Sequence, residues 1–333
     1  MGIRKKYISH ILMVVLFVLV FFSPNIRIGI KISWFLALAG GMTLFDRKFM
    51  RTFAFNSRGN SNFWMLFIFA CVYLALQPFI HFTGDISYIV MLIGTILTLL
   101  RCLLLVYALY KTKKEFLLDK YCEYFIEACC VYVAFTILFI IFPEFKSFWL
   151  NSVLDSYTEA TYAAYQFRYS LDGFAAFSSS SLFSLAAIIS GYLISNDKKA
   201  SIAHILKFIV VAGGCFFYGR IAFVGIVLGA LLMVLVKGNL MKTLKIMLVV
   251  GVIVGVLISL LNYLGTINES FVIWKNWAFA FVKQLFVERE ITDYSFTHMF
   301  KDMYFLPDFT TFIAGDGRYT EVNGSYYMHT DVG

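Results

Sequence analysis

The sequence predicts an all-α polytopic membrane protein of about nine transmembrane helices, and three observations carry that prediction. The mean hydropathy is +0.79 and only 14% of residues are charged, whereas charged residues make up about a quarter of a soluble domain. The 37 Phe and 20 Tyr against 4 Pro fit lipid-facing helices with aromatic anchors at the interface. The basic residues fall in short connections between apolar runs, where they act as topology signals.

A spanning helix needs about 20 mostly apolar residues. That rule places spans near 7–22, 28–45, 63–82, 86–110, 121–142, 173–194, 203–218, 221–236 and 245–264. The first has a basic start, Arg4 to Lys6, but no small-residue cleavage site follows, so it reads as an uncleaved helix. Arg47, Lys48, Arg51 and Arg58 fill the second connection, and Lys111, Lys113, Lys114 and Lys120 the fourth. Lys198 and Lys199 follow the sixth span, and Lys237, Lys242 and Lys245 the eighth. Every basic connection is even-numbered. The positive-inside rule then puts the N-terminus and these connections in the cytoplasm.

Two segments on the opposite side are too long to be simple turns, and long connections usually carry function. The domain reading is a transmembrane domain over 1–264, with an external loop near 143–172, and a large external (periplasmic) segment over 265–333. Within the latter, Glu269, Asn276, Lys283 and Glu290 recur every seven residues, with Trp274, Trp277, Phe279, Phe281 and Phe286 on the remainder. This is the pattern of a helix lying in the membrane interface or of a plain connecting helix.

The net charge of +8 is scattered and points to no nucleic acid. Cys71, Cys102, Cys129, Cys130 and Cys215 sit inside apolar runs without metal-ligand spacing. No metal and no cofactor are expected.

Arg101 lies well inside the fourth span, where charge is costly and normally paired. An antiparallel hairpin of spans four and five brings it to the depth of Glu127, so the expectation is a structural ion pair, with a substrate contact as the alternative. Ser178 to Ser181 head the sixth span and suit close helix packing. Arg168 ends the first external loop, and Arg220 follows Gly219 at the tip between spans seven and eight. A guanidinium there matches phosphate bidentately or snorkels to any lipid headgroup. In the terminal run "GDGRYTEVNGSYYMHTDVG", His329 and Asp331 are two residues apart. Either one can take a proton from a sugar hydroxyl, or serve as a hydrogen-bonded structural residue.

Three stretches together resemble the O-antigen polymerase (Wzy-like) family, within the superfamily that includes the O-antigen ligases. They are Arg168 to Ser181, "YGRIAFVGIVLGALL", and "IAGDGRYTEVNGSYYMHTDVG". Each motif alone is degenerate, and the specificity lies in their order. The resemblance implies polymerisation of undecaprenyl-pyrophosphate-linked oligosaccharide repeat units into O-antigen or capsular polysaccharide, outside the bacterial inner membrane. It implies a metal-independent membrane glycosyltransferase whose partners are carrier-linked glycan donor and acceptor, membrane lipid, a chain-length regulator and a flippase. Arg168, Arg220 and Arg318 are then the pyrophosphate ligands, and Asp331 or His329 the proton acceptor. Family members return to the membrane after the third stretch. Gly333 ends this sequence inside it, which reads as a truncation or a misplaced motif. Two alternatives are a ligase that uses lipid A core as acceptor, and a flippase or transporter that binds the same pyrophosphate without chemistry.

Overall fold

The computed structural model describes residues 2–27, 31–53, 58–113, 118–157, 165–175, 177–196, 202–219, 222–237, 248, 251–252, 255, 259, 262–263 and 269–284. Helices dominate, as the composition requires. The chain divides into two compact units, Met1–Ile32 with Leu117–Arg289, and Ser33–Phe116 with Glu290–Gly333.

The first unit contains α1 (Gly2–Phe21), α6 (Leu118–Ile141), the short α7 (Pro143–Phe148), α8 (Phe177–Asn196), α9 (Ile202–Tyr218), α10 (Ala222–Lys237) and α11 (Glu269–Lys283). The second contains α2 (Ile32–Thr43) apart from its first residue, α3 (Arg47–Phe53), α4 (Arg58–Ile80) and α5 (Ser87–Lys113). Four helical stretches are long and apolar enough to cross a membrane: Asn62–Ile80, Ile89–Thr112, Leu118–Ile141 and Ser178–Asn196. These are the third, fourth, fifth and sixth expected spans. The apolar stretches of α1, α2, α9 and α10 are shorter. At 1.5 Å per residue the 12 residues of α2 rise about 18 Å, well below the ~30 Å of a hydrocarbon core. Most of the ninth expected span lies outside the described residues.

Within the first unit, α6 is the hub. Phe17 of α1 packs on Tyr121 and Tyr124, and Phe21 on Phe125. Helices α8 and α10 approach by their backbones. A Cβ on Gly225 would stand 2.3 Å from the Ser184 carbonyl oxygen, and one on Gly229 2.6 Å from that of Ala187. Gly225 and Gly229 are four residues apart, the small-xxx-small spacing that lets backbones touch where lipid supplies no hydrophobic drive.

The segment near 143–172, expected as a long loop, carries structure of its own. After α7 comes a π-helical turn, Trp149–Val153, and then an antiparallel hairpin of β1 (Tyr169–Ser170) and β2 (Gly173–Phe174). The sixth span therefore begins at Phe177 rather than at 173. Leu154 bridges Ile26, the Asp155 N–H donates to the Asn25 carbonyl at 2.7 Å, and the Arg27 N–H to that of Val153 at 3.0 Å. The segment is thus laced to the residues that follow α1. Leu150, Leu154 and Tyr169 bury themselves against Phe139 at the end of α6.

Candidate functional site

The hairpin exists because "SLDG" supplies its turn. Gly173 sits at φ +101°, where a side chain is strained, and a Cβ there would meet the Tyr157 Cβ at 3.2 Å. The Ala175 N–H returns to the Arg168 carbonyl at 2.7 Å, which closes the hairpin below Arg168.

Arg168 is buried, with 9% of its surface exposed. Its guanidinium carbon lies 5.0 Å from the Tyr165 ring centre, 5.1 Å from Phe174 and 5.3 Å from Trp277. Three aromatic rings thus surround the cation, an arrangement that its quadrupole contacts favour. One terminal nitrogen donates to the Tyr218 carbonyl at the end of α9, where the helix dipole is negative. Among the described residues the buried Nε atom has no hydrogen-bond partner. Burial lowers the pKa from the usual arginine value, against the raising influence of Tyr165 and Tyr132. A guanidinium stays charged regardless.

Gly219, the next residue after Tyr218, fits into the same corner. A Cβ on it would lie 2.8 Å from Ser180 Oγ and 3.8 Å from the Arg168 terminal nitrogen. Two sequence motifs some 50 residues apart therefore meet, with buried Ser179 and Ser180 of α8 beside them. Of the four serines from Ser178 to Ser181, the middle two are buried and the outer two are exposed.

Beneath this corner the polar contacts continue. Tyr132 donates to Asp172 Oδ1 at 2.5 Å, and Ser170 Oγ to the Tyr132 carbonyl at 2.8 Å. Tyr218 and Thr136 share a hydroxyl hydrogen bond of 2.7 Å. Burial pushes the Asp172 carboxyl up to about 6, against the lowering effect of the Tyr132 hydrogen bond. A carboxyl poised there holds or releases a proton near neutrality. Neither Asp172 nor Tyr132 stood out in the sequence. The Asp-Gly pair between aromatic residues was the available hairpin signal.

Helix α11 roofs the arrangement. Phe271 stacks on Phe167 at 4.6 Å, Trp274 on Phe217 at 5.1 Å, and Trp277 meets Tyr165 edge-on at 5.4 Å. Glu269, Asn276 and Lys283 are all exposed, as their seven-residue spacing required. Phe271, Trp274, Trp277 and Phe279 each meet a ring of another element, so this helix docks on the rest of the first unit by those rings. Glu290 and Phe286 lie outside the described residues.

Of the other expected site residues, Arg220, Arg318, His329 and Asp331 lie outside the described residues. Glu127 engages Lys207 of α9 at 2.6 Å and His10 of α1 at 3.0 Å. Its expected partner Arg101 belongs to the second unit, where the guanidinium donates to Thr98 Oγ1 at 2.8 Å. Glu127 thus has counter-charges of its own within the first unit. Among the described residues no group of three or more His, Cys, Asp or Glu could hold a metal ion. No family model, no curated protein and no solved structure matches this chain.

Proposed function

We propose that the chain is a glycosyltransferase of polysaccharide assembly, which joins undecaprenyl-pyrophosphate-linked repeat units at the outer face of the bacterial inner membrane. The observation that carries the reading is the caged Arg168 beside Gly219, one residue before Arg220. A buried cation with an unpartnered Nε is costly, by roughly 1–3 kcal/mol for an orphaned donor. An anionic ligand oxygen would relieve it. The aromatic cage fixes the guanidinium plane in advance, so a pyrophosphate need not pay for ordering it.

In this reading the N-terminus is cytoplasmic, the chain crosses the membrane about nine times, and the corner built by α6, α8, α9 and the hairpin faces outward. An acceptor sugar hydroxyl attacks the anomeric carbon of the donor glycan. The new glycosidic C–O bond forms as the C–O bond to pyrophosphate breaks, and the leaving group takes the electron pair. Arg168, Arg220 and Arg318 stabilise the charge that builds there. The hydroxyl proton passes to Asp331 or His329. A chain-length regulator and a flippase are the expected partners.

The test is the chain-length distribution of surface glycan in a strain whose own copy is deleted and then complemented with the full-length protein. Arg220→Ala leaves single repeat units at normal protein level, through loss of about 3 kcal/mol of transition-state binding and roughly a hundredfold in rate. Arg220→Lys keeps charge without the fork and retains partial function. Long chains from Arg220→Ala at normal level would reject the reading. Long chains that accumulate unattached to lipid A core would replace it with a ligase.

A further inference from the structure

Beside the caged arginine, a recess of about 210 Å³ opens between the end of α6, α7, the residues before β1 and the first turn of α11. It is smaller than the roughly 300–1,000 Å³ of drug-sized ligand pockets, so it has room for one small ring. Its walls include the rings of Phe167, Tyr169 and Phe271, and its polar groups include Lys146, Gln166 and Ser270. Flat apolar walls with a few convergent polar groups are the general form of a small-molecule site.

Lys146 decides what the ring should carry. Its ammonium donates to the Gln166 carbonyl at 2.8 Å and stands 4.2 Å over the Tyr169 ring. Among the described residues no carboxylate pairs with it. Burial lowers its pKa from the usual lysine value, with no countering charge. A half-buried cation held by a neutral carbonyl and a ring face is under-compensated. An ammonium has three donors, and an anion is what would offset the lost hydration.

We propose that this cleft is a subsite for an acidic monosaccharide, whose ring lies against the aromatic wall and whose carboxylate pairs with Lys146. The proposal rests on the glycan-transfer reading and deepens it, since it makes a uronic acid or similar sugar part of the repeat unit. A charge-assisted hydrogen bond contributes about 1.5–3 kcal/mol, or roughly a ten- to hundredfold preference for acidic over neutral sugar.

The experiment measures direct binding of trigalacturonate, and of a neutral galactose trisaccharide, to the full chain in nanodiscs of neutral lipid. Trigalacturonate should bind at least tenfold tighter. Lys146→Met should abolish that difference, and Lys146→Arg should keep most of it. Equal binding of the two sugars by the native protein overturns the proposal, as does unchanged discrimination in Lys146→Met. Loss of trigalacturonate binding in nanodiscs of phosphatidylglycerol would also overturn it and make a lipid headgroup the occupant. The assay involves no transfer step. Normal acid-sugar binding alongside wild-type chains from Arg220→Ala would therefore reject the polymerase reading and leave the subsite standing.

Discussion

Helices α5 and α8 invert the usual relation between apolarity and burial. The spanning stretch of α5, at hydropathy 2.6, is 22% buried within the protein, while that of α8, at only 1.3, is 56% buried. Helices α4 and α6 are nearly equal in hydropathy, 2.0 and 2.2, yet 11% and 50% buried. In water the most apolar helix would be the most covered. In a bilayer, lipid is as good a partner for Leu as another Leu, so apolarity carries no information about which helices touch. Contact goes instead to small and polar side chains. Ser184 and Gly191, two of the residues that lower the hydropathy of α8, lie where α10 comes against its backbone. The two units therefore differ in kind: the first is closely packed around polar contacts, and the second presents broad apolar faces.

Charge pairs should separate the units most strongly. In the first unit Glu127 is 16% exposed and meets Lys207 and His10. In the second, Asp46 accepts from Lys111 at 2.8 Å, and that hydrogen bond, the largest of several influences, holds its carboxyl down to about 2. Glu127→Leu strands a cation against α6 and is expected to cost about 3–5 kcal/mol, the range for breaking a buried pair. Glu127→Leu with Lys207→Leu should recover much of that. Lys111→Leu leaves a carboxylate facing solvent and should hardly change the melting temperature. The check is thermal melting of the purified variants in one detergent. Equal losses from Glu127→Leu and Lys111→Leu would erase the distinction between the units.

The pH response comes next in size. The folded pKa of Asp172, about 6, stands above the ordinary aspartate value of 3.8. A raised acid is stabilising when protonated, so its contribution is fully present below pH ~4 and is lost as pH rises through 6. The shift corresponds to a change on the order of 2–3 kcal/mol. Asp46 is shifted the other way. Its contribution is present above pH ~4 and is lost only as pH falls through 2, so the two windows do not overlap. Melting temperature should therefore fall between pH 4 and 6.5 in the native protein by more than in Asp172→Asn. Parallel curves would show that Asp172 is not held by the hairpin and Tyr132 as described.

These contrasts also show what the sequence could convey. Helix existence was legible wherever an apolar run was long, because length and apolarity are local properties. The exposed stripe of Glu269, Asn276 and Lys283 was legible for the same reason, since a seven-residue spacing needs no knowledge of the partner. Partners were harder to read. The Lys207 that binds Glu127 lies 80 residues downstream, whereas the hairpin assumption looked to the neighbouring span. A helix that is apolar all round does not say which way it faces. The hairpin carried an Asp-Gly signal, but two-residue strands are too short for alternation to reveal. The adjacency of Arg168 and Gly219 came from neither charge nor periodicity. It follows from the hairpin folding back over the end of α9.

The smallest effect is the sharpest comparison, because it uses one chemical change in two places. Gly229→Ala puts a methyl group 2.6 Å from the Ala187 carbonyl oxygen, which is backbone and cannot step aside. Helices α8 and α10 must move apart, a strain in the range of about 1–3 kcal/mol for overpacking. Gly94→Ala in α5 meets nothing within 4 Å. It removes only the backbone freedom of glycine in the unfolded chain, so it should stabilise by roughly 0.5–1 kcal/mol. The melting temperature should therefore fall for Gly229→Ala and rise slightly for Gly94→Ala. A double variant should give the sum, since the two sites share no partner. Two equal and harmless substitutions would mean that α8 and α10 do not approach by their backbones. The polar packing that sets the first unit apart would then need another origin.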